Sequence, residues 1–324
     1  MLGNGNIREE QLGDHLASKL VRGPNRRHVL AGIGASAMAT SLSGTLPSAS
    51  GQTAEASNTI TVTLLGTGTP NPRSDRFGPA TLIEAGGKRL LIDAGRGLTI
   101  RLNQLKIPFG QVDAVMLTHF HSDHLNGLSD FWLTGYLPPP YAARKSPMRL
   151  IGPTGVTRIA EGMRTAFADD IRIRMADEAV PEAATQIDTR EFSSDGIVYD
   201  ESGLKVTAFE VDHGPQIKPA YGYRIDYAGR SVLLSGDTKF DENLIKHGTG
   251  VDLLLHEVCM LPDGLKDNSI FMAIMNHHTS PEECGVVFTR TKTKLAAYTH
   301  LVQVGTAKSP AVSDEAIVAA TRKT

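Results

Sequence analysis

Cysteine is nearly absent: Cys259 and Cys284 are the two in 324 residues. Two thiols exclude a disulfide framework and a thiolate metal site, and read as buried side chains whose pairing is left open. Aromatic residues make up 6% of the chain and charged residues 21%. A net charge of −2 supplies no overall field that would gather a polyanion such as nucleic acid. Against these shortages stands a hydrophobic fraction of 40%, ordinary for a chain that buries a full core. The length suits one layered domain of about 250 to 270 residues plus a leader.

The leader is residues 1–56. Arg26 and Arg27 precede a weak apolar run, Ala31 to Leu42, rich in Ala, Gly and Ser and too short to span a bilayer. The arrangement resembles a twin-arginine export signal, with cleavage expected after Ser50 or Ala56. Its implications are a periplasmic or secreted protein, no stable membrane anchor after cleavage, and a catalytic domain over residues 57–324.

From Ile60 onward, short β-branched and aliphatic runs punctuated by glycine predict strands at 60–65, 81–84, 89–92, 114–118, 205–211, 221–227, 231–234, 253–257 and 295–299. Helices are predicted at 98–105, at 155–169, from Ser280 and from Asp314. Ser280-Pro281-Glu282-Glu283 carries an N-cap serine, a first-turn proline and the glutamate of a capping box. Two echoes join the halves of the domain: Ile92-Asp93-Ala94-Gly95 with Ser235-Gly236-Asp237-Thr238, and Thr118-His119 with Thr299-His300.

Thr118-His119-Phe120-His121-Ser122-Asp123-His124 follows a buried strand and packs four metal-ligand side chains into six residues. In extended chain, side chains alternate, so His119 and His121 point the same way and can clamp one ion, while Phe120 points to the core. Asp123 and His124 lie just beyond and can reach a second ion. Further ligands have to come from other strand ends, where His213, Asp237 and His300 each follow or terminate a predicted strand.

His-x-His-x-Asp-His, then a lone His, an Asp and a final His, resembles the metallo-β-lactamase superfamily over roughly residues 60–305. The resemblance implies an α+β fold, a four-layer αββα sandwich with its site along one edge of the two sheets. It further implies that His119, His121 and His213 bind one metal, that Asp123, His124 and His300 bind a second, and that Asp237 bridges them. Asp93 matches an early aspartate that orients a metal-binding histidine. Five imidazoles and two carboxylates suit two zinc ions, with iron or manganese also compatible.

Smaller motifs resemble the arylsulfatase and ribonuclease Z branches: Leu64-Leu65-Gly66-Thr67-Gly68-Thr69-Pro70, Tyr221-Gly222-Tyr223, His256-Glu257 and His278-Thr279-Ser280. In the second branch His256 would relay a proton, and His278 would contact an anionic oxygen. Ribonuclease Z also carries a long basic arm between the third-motif histidine and the bridging aspartate. Residues 214–236 are too few for such an arm, and His300 is followed by Leu301-Val302-Gln303, so transfer RNA is disfavoured as a partner. Arg76-Phe77-Gly78-Pro79-Ala80 and Asp130-Phe131-Trp132-Leu133-Thr134-Gly135 look arylsulfatase-like, with Phe131 and Trp132 expected near the site.

The expectation is therefore a binuclear hydrolase in which a hydroxide shared by two metals attacks a small-molecule ester, with Asp123 and His256 in catalytic roles. The ester is an aryl sulfate, a phosphodiester or a relative; a lactone or phosphotriester is the alternative on the same site. An iron-dependent oxidoreductase of the same fold is the rival from another class. A homodimer is left open.

Overall fold

The computed structural model describes residues 58–324. The leader expected over residues 1–56 lies outside the described residues. Twelve strands among the described residues form two six-stranded sheets. The first sheet holds β1 (Thr61–Gly66), β2 (Ala80–Ala85), β3 (Lys88–Ile92), β4 (Ala114–Met116), β5 (Met148–Pro153) and β6 (Ile187–Phe192), paired in chain order. The second holds β7 (Gly196–Glu201), β8 (Leu204–Glu210), β9 (Tyr221–Tyr227), β10 (Arg230–Leu234), β11 (Leu253–Cys259) and β12 (Leu295–Val302), also paired in chain order. Each sheet is mixed. The pairs β1/β2 and β2/β3 are antiparallel and β3 to β6 are parallel; β7 to β10 are antiparallel and β10 to β12 parallel.

Side-chain alternation builds the layers. Along β3, Leu90 and Ile92 enter the core between the sheets while Leu91 enters the core beneath the first helix layer. Along β10, Val232 and Leu234 face the first sheet and Leu233 faces the opposite helices. The first helix layer comprises α1 (Leu98–Gln104), α2 (Leu128–Tyr136), α3 (Val156–Ala166) and α4 (Ala168–Asp177). On the other side lie α5 (Glu242–Gly248), α7 (Pro281–Thr291) and α8 (Asp314–Thr321), while α6 (Ser269–Met275) belongs to the connection from β11 to α7. Helix, sheet, sheet, helix is the four-layer αββα sandwich that the sequence predicts. Among the described residues no helix is long and apolar enough to cross a membrane.

Local expectations meet mixed outcomes. The capping box is present: Ser280 Oγ accepts from Glu283 N at 3.3 Å, and Glu283 Oε2 accepts from Ser280 N at 2.9 Å. The helix predicted at 155–169 breaks at Phe167 (φ −108°), whose ring turns inward to meet Trp132 edge-on at 6.4 Å. Burial of that ring outweighs helical continuation. Phe131 and Trp132 are 1% and 0% exposed, so they are core of the helix layer and offer no surface to a substrate. Both cysteines are buried and free.

Candidate metal centre

Seven predicted ligands converge where strands of the two sheets end. His119, His121, His213 and Asp237 have ligand atoms within 4.8 Å of one another, and so do Asp123, His124 and His300. Asp237 belongs to the first set and also to a third, with His278 and His300, and so reaches the second through His300. Its Oδ2 lies 3.8 Å from His119 Nε2, 3.7 Å from His213 Nε2, 3.3 Å from His124 Nε2 and 3.2 Å from His300 Nε2. Asp123 Oδ2 is 3.2 Å from His300 Nε2 and 3.7 Å from His124 Nε2. All seven are buried except His121, which is exposed and marks where the cluster meets solvent.

Backbone geometry aims these side chains. β4 runs into Leu117-Thr118-His119, and Thr118 N donates to Asp93 Oδ1 at 2.9 Å, tying the ends of β3 and β4 together. In β12 the pairing shifts so that Glu257 alone on β11 faces Thr299 and His300. This β-bulge re-aims His300 into the site. Its cost is visible in the backbone, because His300 and Asp93 both occupy the left-handed region at φ 41° and 59°. Residues other than glycine persist there only where surrounding contacts over-determine them.

Hydrogen bonds fix which ring nitrogen is free. Thr118 Oγ1 donates to Asp93 at 2.9 Å, which leaves that oxygen to accept from His119 Nδ1 at 3.0 Å. His124 Nδ1 donates to Asp93 Oδ2 at 2.8 Å, and His213 Nδ1 donates to the His277 carbonyl at 2.8 Å. In all three rings the lone pair is thereby placed on Nε2, directed at the cluster. His119 Nε2 then faces His121 Nδ1 at 3.0 Å, and His213 Nε2 faces the same atom at 3.3 Å. His124 Nε2 is buried without a hydrogen-bond partner.

Charge states agree with a cation-binding role. Burial, reinforced by neighbouring imidazoles, drives His119 well below the ordinary histidine range, and burial lowers His213 to about 4. Burial opposes charge on Asp237 as well, but His300 and His124 outweigh it and hold the carboxyl well below the usual carboxylate range. Burial would depress His124, yet Asp237 and Asp93 overcome it and raise its affinity for a proton. Lone pairs on His119, His121 and His213, whose proton affinity is lowered, converge beside the two ionised carboxylates Asp123 and Asp237 and make a donor set that fits divalent metal ions.

One residue adjacent to the cluster departs from the sequence expectation. His256, expected as a proton relay, is turned away: its Nδ1 donates to the Glu257 carbonyl at 2.6 Å, and its neighbours are Cys284 Sγ at 3.7 Å and the Phe288 ring of α7. Adjacent strand residues point to opposite faces, so only one of His256 and Glu257 can face the site. Glu257 does, accepting from Thr238 N, Thr279 N and His278 Nδ1 at 3.2, 3.1 and 3.1 Å. His278 stacks on His300 at 5.5 Å and lies 5.0 Å from the His213 ring. Burial would lower His278, but Glu257 raises it to about 9. His277, absent from the sequence-derived candidates, supplies the carbonyl that orients His213.

Residues 60–266 match the family described as Anti-Pycsar protein Apyc1. A ribonuclease Z of Mycobacterium marinum is 34% identical over 250 residues, spanning 75% of this chain and 86% of that one. Among solved structures, the metallo-β-lactamase fold protein YhfI of Bacillus subtilis superposes with a TM-score of 0.62 at 16% identity, covering 82% of this chain and 92% of its own. The short form of human tRNase Z gives a TM-score of 0.60 at 21% identity, covering 76% and 93%.

Proposed function

The chain belongs to the metal-dependent hydrolases of the metallo-β-lactamase superfamily, in the branch of ribonuclease Z and the anti-Pycsar protein Apyc1, and from that premise we propose that it hydrolyses small phosphodiesters with two bound zinc ions. The observation that carries the reading is the position of Asp237 Oδ2 within 3.8 Å of four imidazole nitrogens that belong to two ligand sets. In this reading His119, His121 and His213 hold one ion, Asp123, His124 and His300 hold the other, and Asp237 is shared. When bound, such a pair supplies Lewis acidity and makes water a stronger acid near neutral pH.

The chain's own groups do the rest. Asp93 and the His277 carbonyl hold His124 and His213 in their ligating tautomers. His278, protonated against Glu257, carries a proton at the rim of the cluster and gives it to the departing oxygen. Glu257 is fixed for this by two backbone N–H groups, from Thr238 and Thr279.

A small substrate, rather than transfer RNA, is supported by the stretch between His213 and Asp237. It contains β9, the Ala228-Gly229 turn and β10, and has no inserted arm. The aryl sulfate expectation yields to phosphodiesters because the curated relatives are ribonucleases. The test is metal analysis of the purified protein together with parallel hydrolysis of an aryl phosphodiester, an aryl sulfate, an aryl phosphotriester and a lactone. Two zinc equivalents and preference for the diester are expected. Preference for the sulfate would reinstate the arylsulfatase reading, and bound iron would replace hydrolysis with redox chemistry.

A further inference from the structure

Helix α6 is apolar along nearly its whole length and fully buries none of it: Phe271, Met272, Ile274 and Met275 are half-buried. Ser269-Ile270-Phe271-Met272-Ala273-Ile274-Met275 has no charged residue and no buried one, and Ile270 is 71% exposed. None of its large apolar side chains is among the partly buried ones packed against the four cores. A short helix is normally held by burying one face, and here that face stays half-buried and joins none of the four cores. Its cap is local, with Asn268 Oδ1 accepting from Ile270 N at 3.0 Å.

What α6 adjoins is the candidate metal centre. Its turn continues through Asn276 N to Met272 O, His277 N to Ile274 O and His278 N to Met275 O, at 2.9, 3.1 and 3.1 Å. Residues three and four apart share a face of such a coil, which places Phe271, Ile274, Met275 and His278 in one stripe. The stripe ends at the ring that stacks on His300. The cluster opens to solvent at exposed His121, and His278 beside it is half-buried.

We propose that the Phe271, Ile274 and Met275 stripe is the subsite for an aromatic arm of the substrate, lying beside a phosphoryl group held at the metal centre; the proposal rests on the phosphodiester reading. The three side chains offer no strong hydrogen-bond donor or acceptor, so they select an apolar group over a sugar or a charged one. Phe271 presents an edge or face to a ring, and Met275 supplies a thioether that contacts ring edges and adapts its shape. Continuity with His278 puts the ring on the side where the leaving oxygen receives its proton.

The test is calorimetric titration of the metal-loaded full chain with phenylphosphonate and with methylphosphonate, for the wild type and for the double variant Phe271→Ser, Met275→Ser. The substituted side chains are partly exposed, and circular dichroism with metal analysis checks that the variant keeps its fold and its ions. Phenylphosphonate is expected to bind the wild type about 10-fold more tightly, and the variant is expected to lose that preference while keeping its affinity for methylphosphonate. Equal binding of the two ligands by the wild type, failure of either to bind, or a preference that survives in the variant overturns the subsite. So does a wild-type dimer that the double variant dissociates, since a second copy would then be what covers α6. Turnover of bis(p-nitrophenyl) phosphate by the wild type is measured separately: no turnover with the phenyl preference intact removes the phosphodiester reading and leaves the subsite standing.

Discussion

Asp93 Oδ2 accepts from His124 Nδ1 at 2.8 Å while Asp93 Oδ1 accepts from Thr118 N at 2.9 Å, so one carboxylate braces a metal-site imidazole against the end of β4. Asp93 achieves this from a left-handed backbone conformation stitched by its own N–H to Met116 O and by Ala94 N to His124 O. Asp93→Ala removes the brace and leaves Thr118 N without its acceptor. Metal affinity is expected to fall about 10- to 100-fold, read by competition with a chelating indicator. Unchanged affinity would mean that His124 is oriented by packing alone.

Asp237 Oδ2 lies within 3.8 Å of imidazoles from both proposed ligand sets. Asp237→Ala is expected to lose both metals together and with them all hydrolysis. An Asp237→Ala protein that retained two equivalents of metal and wild-type turnover would remove the bridging assignment.

His278 and His256 are separated by the face of β11 that each serves. His278→Gln is expected to lower kcat about 10²- to 10⁴-fold with metal content preserved, the range of a lost general acid. His256→Gln acts on the packing of Cys284 and Phe288 instead. Its kcat is expected to stay within a few-fold of wild type while its thermal midpoint drops. The reverse pattern would restore His256 as the proton relay.

Chelation should cost stability as well as activity. Five imidazoles and two carboxylates packed together repel or compete for protons unless a cation neutralises them. Calorimetry of the chelator-treated protein is expected to show a lower unfolding midpoint, with about 2.7 kcal/mol recovered at a metal concentration 100 times the dissociation constant. A midpoint indifferent to metal would mean that the cluster is held entirely by the scaffold.

Outside the candidate metal centre, His247 stacks on Phe209 at 4.8 Å, and burial lowers its affinity for a proton despite nearby Asp195. A depressed folded value means that the unfolded chain binds the proton first. The stability contributed is present above the unfolded value near 6.5 and is lost as pH falls from there through the folded value. His247→Phe keeps a ring over Phe209 without titrating, and is expected to lose less stability than the wild type on acidification below about pH 6.5. Chemical denaturation at several pH values measures the difference, and parallel curves would show that His247 does not titrate on unfolding.

Much of the centre was legible because ligand chemistry is written in residue type and order. The run from His119 to His124 sits directly after a buried strand, and its period-two spacing already pairs His119 with His121. His213, Asp237 and His300 were readable as strand-end residues once the order of motifs was seen. Less legible were residues whose role depends on which face a strand presents. His256 and Glu257 are neighbours, and composition cannot say which one looks inward. Pairing with β12 and the bulge at Thr299 and His300 decide it. Likewise nothing local marked His277, whose contribution to His213 is a backbone carbonyl.

By itself the sequence determined which side chains alternate along strands such as β3 and β10 and which residues offer metal-ligand chemistry, in an order whose resemblance to the superfamily implied the two-sheet layering. Only the tertiary structure decided that Asp237 Oδ2 lies within 3.8 Å of four imidazole nitrogens, that Glu257 rather than His256 faces the cluster and holds His278, and that α6 joins none of the four cores. The reason is physical: which residues alternate is a property of the local chain, whereas which face is inward and what lies opposite are fixed by pairing between segments far apart in sequence.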